Sequence, residues 1–151
     1  MLDTAVPDFS LPATSGQTFT LAAQAGQVVV VYFYPKDSTP GCTTEAQQFR
    51  DLHGEFAAAG AVILGVSRDS LKSHENFKAK QALPFELGAD TDEAVCTLFA
   101  VMKLKNMYGK QVRGVERSTF VIDRDGVLRR EWRGVKVPGH AQEVLDFVKT
   151  L

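Results

Sequence analysis

The chain carries two cysteines, Cys42 and Cys96, and three histidines, His53, His74 and His140. These are the side chains that could serve as nucleophile, redox centre or soft metal ligand, and their spacing narrows the choice. A structural zinc site uses about four closely spaced ligands, whereas here the histidines are scattered and no Cys-x-x-Cys pair exists. No metal and no cofactor is therefore expected. Cys42 stands apart through its setting, Tyr34-Pro35-Lys36-Asp37-Ser38-Thr39-Pro40-Gly41-Cys42-Thr43-Thr44-Glu45. The pattern puts Cys42 in the first turn of a helix, where unpaired backbone N–H groups and the positive end of the helix dipole favour a thiolate over a thiol. Gly41 lets a small ligand approach the backbone. Thr39 offers a hydroxyl that can donate to or accept from an oxygen compound. Pro35 and Pro40 stiffen the loop and remove two competing donors. A lone cysteine is more often an inert small hydrophobe, so the case for a reactive Cys42 rests on the whole loop.

The elements that must position this loop follow from periodicity. Val28 to Phe33 is β-branched and aromatic throughout and reads as a central strand buried on both faces. After the Pro35–Gly41 loop, Ala46, Phe49, Leu52 and Phe56 recur at helical spacing, with Gly60 as a stop. Gln17–Leu21 alternates like a half-exposed strand, Ala61–Ser67 reads as a second buried strand, and a weakly patterned helix is expected from about Ser70 to Gln81. Phe85–Leu87 is a short strand candidate, and Thr91 or Asp92 opens a helix holding Val95, Leu98 and Phe99 on one face. Ala100–Glu116 reads as an irregular connection. Thr119–Asp123 and Val127–Trp132 form two strands around Asp125-Gly126, a hairpin signal. A last helix begins near Gly139. The expected result is a single α/β domain spanning residues 1–151, its mixed central sheet covered by helices on both faces. Periodicity is compatible with a thioredoxin-like or a flavodoxin-like arrangement.

Composition excludes other classes. The residues are 44% hydrophobic and 23% charged, which describes an ordinary folded domain rather than a disordered chain. Seventeen basic against eighteen acidic residues give a net charge of -1, so nucleic acid is not an expected partner. The basic residues Lys103, Lys105, Lys110, Arg113 and Arg117 are interleaved with apolar ones and read as a solvated loop. The N-terminal residues are acidic and polar, unlike a signal peptide, and no apolar run could span a bilayer. A cytoplasmic protein without membrane contact is expected. Neither a dinucleotide-binding nor a phosphate-loop glycine motif is present.

Pro35-x-x-x-Thr39-x-x-Cys42 resembles the active-site motif of the peroxiredoxins, and Ser38-Thr39-Pro40-Gly41-Cys42-Thr43 resembles their bacterioferritin comigratory protein (peroxiredoxin Q) subfamily. The likeness extends to Val6–Leu11, similar to the family's opening strand. It continues through Met107-Tyr108-Gly109-Lys110 and Gly114–Asp123, similar to its late strand. The resemblance implies a thioredoxin-like fold and thiol-dependent reduction of hydrogen peroxide or alkyl hydroperoxides. It makes Cys42 the peroxidatic cysteine, with Thr39 and Arg117 polarising the substrate, Pro35 shielding the sulfur and Glu45 holding Arg117. The expected reductant is an external thiol such as thioredoxin, glutaredoxin or glutathione, and the resemblance favours a monomer or weak dimer. Physical chemistry agrees: attack on a peroxide puts negative charge on the departing oxygen, which a fixed guanidinium and a hydroxyl stabilise more in the transition state than before it. The product is a sulfenic acid plus water or an alcohol.

The chain departs from its relatives at the second thiol. Positions where family members carry a resolving cysteine hold Gln47 and Lys78. Cys96, the one remaining thiol, lies inside a helical pattern and reads as a buried small residue. Pairing it with Cys42 would require Cα atoms within about 7 Å. The expectation is a one-cysteine enzyme resolved by an external thiol. Two alternatives remain: a two-cysteine enzyme with Cys96 as resolver, and a non-enzymatic redox sensor or holdase using the same reactive thiol.

Overall fold

The computed structural model describes all 151 residues. Its frame is set by Val28–Phe33 (β3), whose six residues are all buried and which pairs in parallel with Ala61–Ser67 (β4). Such a strand, apolar on both faces, is stable only at the centre of a covered sheet. In chain order the remaining strands are Ser10–Ala13 (β1), Gln17–Thr20 (β2), Glu86–Ala89 (β5), Met102–Met107 (β6), Lys110–Val115 (β7), Ser118–Ile122 (β8) and Leu128–Arg133 (β9). Seven strands form one sheet in the order β2-β1-β5-β4-β3-β8-β9, parallel across β5, β4 and β3 and antiparallel elsewhere. The helices are Pro40–Ala58 (α1), Leu71–Gln81 (α2), Ala94–Leu98 (α3) and His140–Val148 (α4).

Alternate residues of β3 feed separate cores, as strand geometry requires. Val28, Val30 and Tyr32 pack with Phe49 and Phe56 of α1, Phe77 of α2 and Val144 and Leu145 of α4. Val29, Val31 and Phe33 pack on the other face with Val95 and Phe99, Phe120, and Val6 and Phe9 of the N-terminal segment. Helices thus cover both faces of the mixed α/β sheet, as expected for a thioredoxin-like domain, but unequally. Three lie on one side, while the five-residue α3 shares the other with irregular chain.

Differences from the sequence reading have local causes. The 100–116 stretch is no irregular connection: β6 and β7 pair antiparallel through a turn at Tyr108 (φ 53°) and Gly109 (φ 76°). Positive φ at both turn residues suits the twist of a tight hairpin. The ribbon pairs only with itself and leaves Leu104 68% exposed, so its strands lack the apolar alternation of a half-buried sheet. Of Val6–Leu11, only Ser10 and Leu11 enter β1; Val6 and Phe9 are buried from irregular chain. The helix expected from Thr91 or Asp92 begins at Ala94, where Asp90 accepts hydrogen bonds from the amides of Val95 and Cys96.

Candidate active site

α1 begins where the sequence reading places it. Thr39 is the residue before the helix, extended at φ -87° and ψ 153°, and Pro40 opens the first turn, a position that needs no N–H and suits a fixed φ. Thr43 donates its amide to the Thr39 carbonyl at 2.9 Å, while the Gly41 and Cys42 amides have no carbonyl partner. Two free donors therefore flank the sulfur. Cys42 itself is only 2% exposed and belongs to the α1-side core.

Arg117 follows β7 and immediately precedes β8, which lies beside β3 in the sheet, so its guanidinium reaches the start of α1. Its Nη2 donates to Cys42 Sγ at 3.4 Å, and its Nη1 donates to Glu45 Oε1 at 2.7 Å. One carboxylate on the same helix thus orients the cation over the sulfur. A Cβ at Gly41 would lie 3.3 Å from Arg117 Nη2, so the missing side chain makes room for the guanidinium. Glu45 is 1% exposed and its Oε2 has no hydrogen-bond partner. That uncompensated burial pushes its carboxyl up to about 7, with Arg117 pulling the other way. The anionic neighbours Glu45 and Cys42 hold Arg117 more firmly protonated, against the opposing pull of its own burial.

Thr39 Oγ1 donates to the Lys36 carbonyl at 2.8 Å. With its proton engaged, the hydroxyl offers lone pairs to a ligand O–H. Pro35 is half-buried at the end of β3. The structure therefore brings Cys42, Arg117, Glu45, Thr39 and Gly41 together around one short segment.

Cys96 is elsewhere. It is fully buried in the core on the opposite face of the sheet, and both cysteines are free thiols. Burial and the hydrogen bond and charge of Asp90 push its thiol far above the ordinary range. The two positions without a cysteine are occupied by polar contacts that tie α1 and α2 down: Gln47 Nε2 donates to Gln81 Oε1 at 3.0 Å, and Lys78 Nζ donates to Glu86 Oε1 at 3.0 Å.

Sequence reasoning missed a polar cluster beneath the loop. Asp37 accepts hydrogen bonds from Tyr34 Oη at 2.6 Å and Ser73 Oγ at 2.8 Å, and its Oδ2 lies 2.7 Å from His74 Nδ1. These hydrogen bonds hold the Asp37 carboxyl below its usual range despite burial. No local spacing joins Asp37 to His74; only the packing of α2 does.

A cysteine in the first turn after the central strand, with the arginine that precedes β8 beside its sulfur, thus sits on a thioredoxin-like fold of the kind peroxiredoxins share. The chain belongs to the AhpC/TSA family, which matches residues 2–131, and within it to the bacterioferritin comigratory protein (peroxiredoxin Q) branch. It is 57% identical to Peroxiredoxin Bcp of Xanthomonas campestris over 98% of this chain and 92% of the relative. Among solved structures, the X. campestris bacterioferritin comigratory protein, described for alkyl peroxide reduction, superposes at a TM-score of 0.90 with 56% identity, over 94% of this chain and 90% of that one. A Xylella fastidiosa peroxiredoxin Q superposes at 0.94 with 43% identity, over 99% and 96%.

Proposed function

We propose that this chain is a thiol-dependent peroxidase that reduces hydrogen peroxide and organic hydroperoxides through a sulfenic acid on Cys42. The observation that carries this reading is the Arg117 guanidinium, 3.4 Å from Cys42 Sγ and fixed from behind by Glu45. The relatives named as Peroxiredoxin Bcp, and the one described for alkyl peroxide reduction, support it.

In the reaction the Cys42 thiolate attacks one peroxide oxygen along the O–O axis. The S–O bond forms as the O–O bond breaks, so the sulfur loses two electrons and the peroxide gains them. The departing oxygen leaves as hydroxide or alkoxide and takes a proton to become water or alcohol. Arg117 and the free amides of Gly41 and Cys42 face the growing negative charge, and Thr39 accepts a hydrogen bond from the peroxide O–H. Pro35 shields the sulfur from water.

The sulfenic acid is then reduced by an external thiol. That thiol attacks the sulfenic sulfur, expels water and leaves a mixed disulfide, which a second thiol resolves. The separation of Cys42 and Cys96 by the sheet supports this one-cysteine scheme over an internal disulfide. The working unit is proposed to be a monomer in the cytoplasm, with thioredoxin, glutaredoxin or glutathione as reductant. Peroxide consumption by the unmodified chain, Cys42→Ser and Cys96→Ser, with thioredoxin and then with glutathione and glutaredoxin, tests it. Loss in Cys42→Ser alone supports the scheme, loss in both assigns resolution to Cys96, and a single stoichiometric reaction without turnover identifies a sensor.

A further inference from the structure

Several buried ionisable groups take no part in the peroxidase mechanism, and one of them lies directly beneath the active-site loop. His74 in α2 is completely buried, with Nδ1 2.7 Å from Asp37 Oδ2 and Nε2 2.9 Å from the Gly88 carbonyl of β5. Both ring nitrogens thus face acceptors. Asp37 is held as a carboxylate by its hydrogen bonds, so Nδ1 must donate, and a bare Nε2 would set a lone pair against a carbonyl oxygen. The geometry gives each ring nitrogen a hydrogen-bond acceptor in a fully enclosed site.

Asp37 lies in the loop that carries Thr39 and leads to Cys42. Its backbone is anchored as well, the amide donating to Asp69 Oδ2 at 2.9 Å, and Asp69 in turn accepts from Ser67 Oγ at 2.6 Å. The next residue, Ser38, sits at φ +61°, a conformation a non-glycine residue holds only when its surroundings impose it. Lys36 beside it supplies the carbonyl that takes the Thr39 proton. The loop over the sulfur is thus fastened to α2, β4 and β5 chiefly at Asp37.

We infer that His74 and Asp37 are positioning residues: their buried hydrogen bond latches the Pro35–Pro40 loop in the shape that presents Thr39 to the peroxide and covers Cys42. This rests on the peroxidase reading of the same site. The latch holds the loop closed for peroxide attack, and opening it admits reagents too large for a sulfur that is 2% exposed.

The test compares two reactions of Cys42 in the reduced full-length chain, well below its melting temperature. One is single-turnover oxidation by hydrogen peroxide; the other is alkylation by iodoacetamide, mapped to Cys42 by mass spectrometry. His74→Gln is expected to slow oxidation by roughly tenfold to a hundredfold, the scale of a displaced contact group, while alkylation accelerates. Ser73→Ala, which removes one donor to Asp37, is expected to shift both rates in the same opposed directions by roughly threefold. It carries the test if His74→Gln does not fold. A merely structural role would lower the melting temperature and leave both rates of the folded chain unchanged. Unchanged rates, or two rates that fall together, overturn the inference. Failure of the unmodified chain to react with peroxide would overturn the peroxidase reading instead, while the alkylation arm would still report the latch.

Discussion

The two cysteines occupy the same fold under opposite chemistry. Both are free and both are buried, yet they sit on opposite faces of the sheet. Around Cys42 stand a guanidinium donating at 3.4 Å and two backbone amides without carbonyl partners. Around Cys96 the Asp90 carboxylate and apolar side chains oppose negative charge on sulfur and push the thiol well up. Two buried thiols thus meet opposite polar neighbours: hydrogen-bond donors at Cys42, a carboxylate at Cys96.

The strongest way to break this comparison is to exchange the roles by mutation. Cys42→Ser should abolish peroxide turnover, and Cys96→Ser should leave it unchanged, in a coupled assay with an external thiol. An appreciable loss in Cys96→Ser would show that the second site takes part. Removing the charge that distinguishes the sites comes next. Arg117→Ala should lower the second-order rate constant with hydrogen peroxide by about a hundredfold, as loss of a fixed transition-state donor does, with Arg117→Lys recovering part of it. Thr39→Val deletes one hydrogen-bonding group and should cost about tenfold in the same rapid-mixing measurement.

A smaller effect sharpens the electrostatics. The folded chain holds the Glu45 carboxyl at about 7 against an ordinary 4.5, so it binds that proton more tightly than the unfolded chain. The stability Glu45 contributes is therefore full at low pH and is lost as pH rises toward 7, by roughly 3 kcal/mol in total at 1.4 kcal/mol per unit. His140 runs the other way: burial pushes it down to about 4 from 6.5, so its contribution is lost as pH falls. Urea unfolding of the unmodified chain and Glu45→Gln across the acid to neutral range separates the two. The variant should lose stability more steeply on acidification, because the losses from His140 and from depressed carboxyls such as Asp37 are no longer offset by Glu45. Parallel pH profiles for the two chains would contradict the assignment.

Much of this was legible in the chain itself. The apolar run Val28–Phe33 could be nothing but a central strand, and Pro40 after Thr39 marks a helix start, so the position of Cys42 followed from local pattern. Arg117 and Glu45 lie 72 residues apart and could be joined only through family resemblance, because no periodicity links a strand entrance to a helix interior. The β6–β7 ribbon escaped notice because it buries no continuous face, and alternation is readable only where one side is dry. Asp37 and His74 were hidden for another reason. Polar residues in a loop and on a weakly patterned helix look solvated until packing encloses them together.

The central claim is that one sulfur, Cys42, takes the oxygen and waits for a thiol from outside. It is tested most directly by treating the reduced chain with one equivalent of hydrogen peroxide in the presence of dimedone and mapping the adduct by mass spectrometry. Dimedone is expected on the Cys42 peptide, with Cys96 unmodified. A crosslinked Cys42–Cys96 peptide, or an adduct on Cys96, would contradict it.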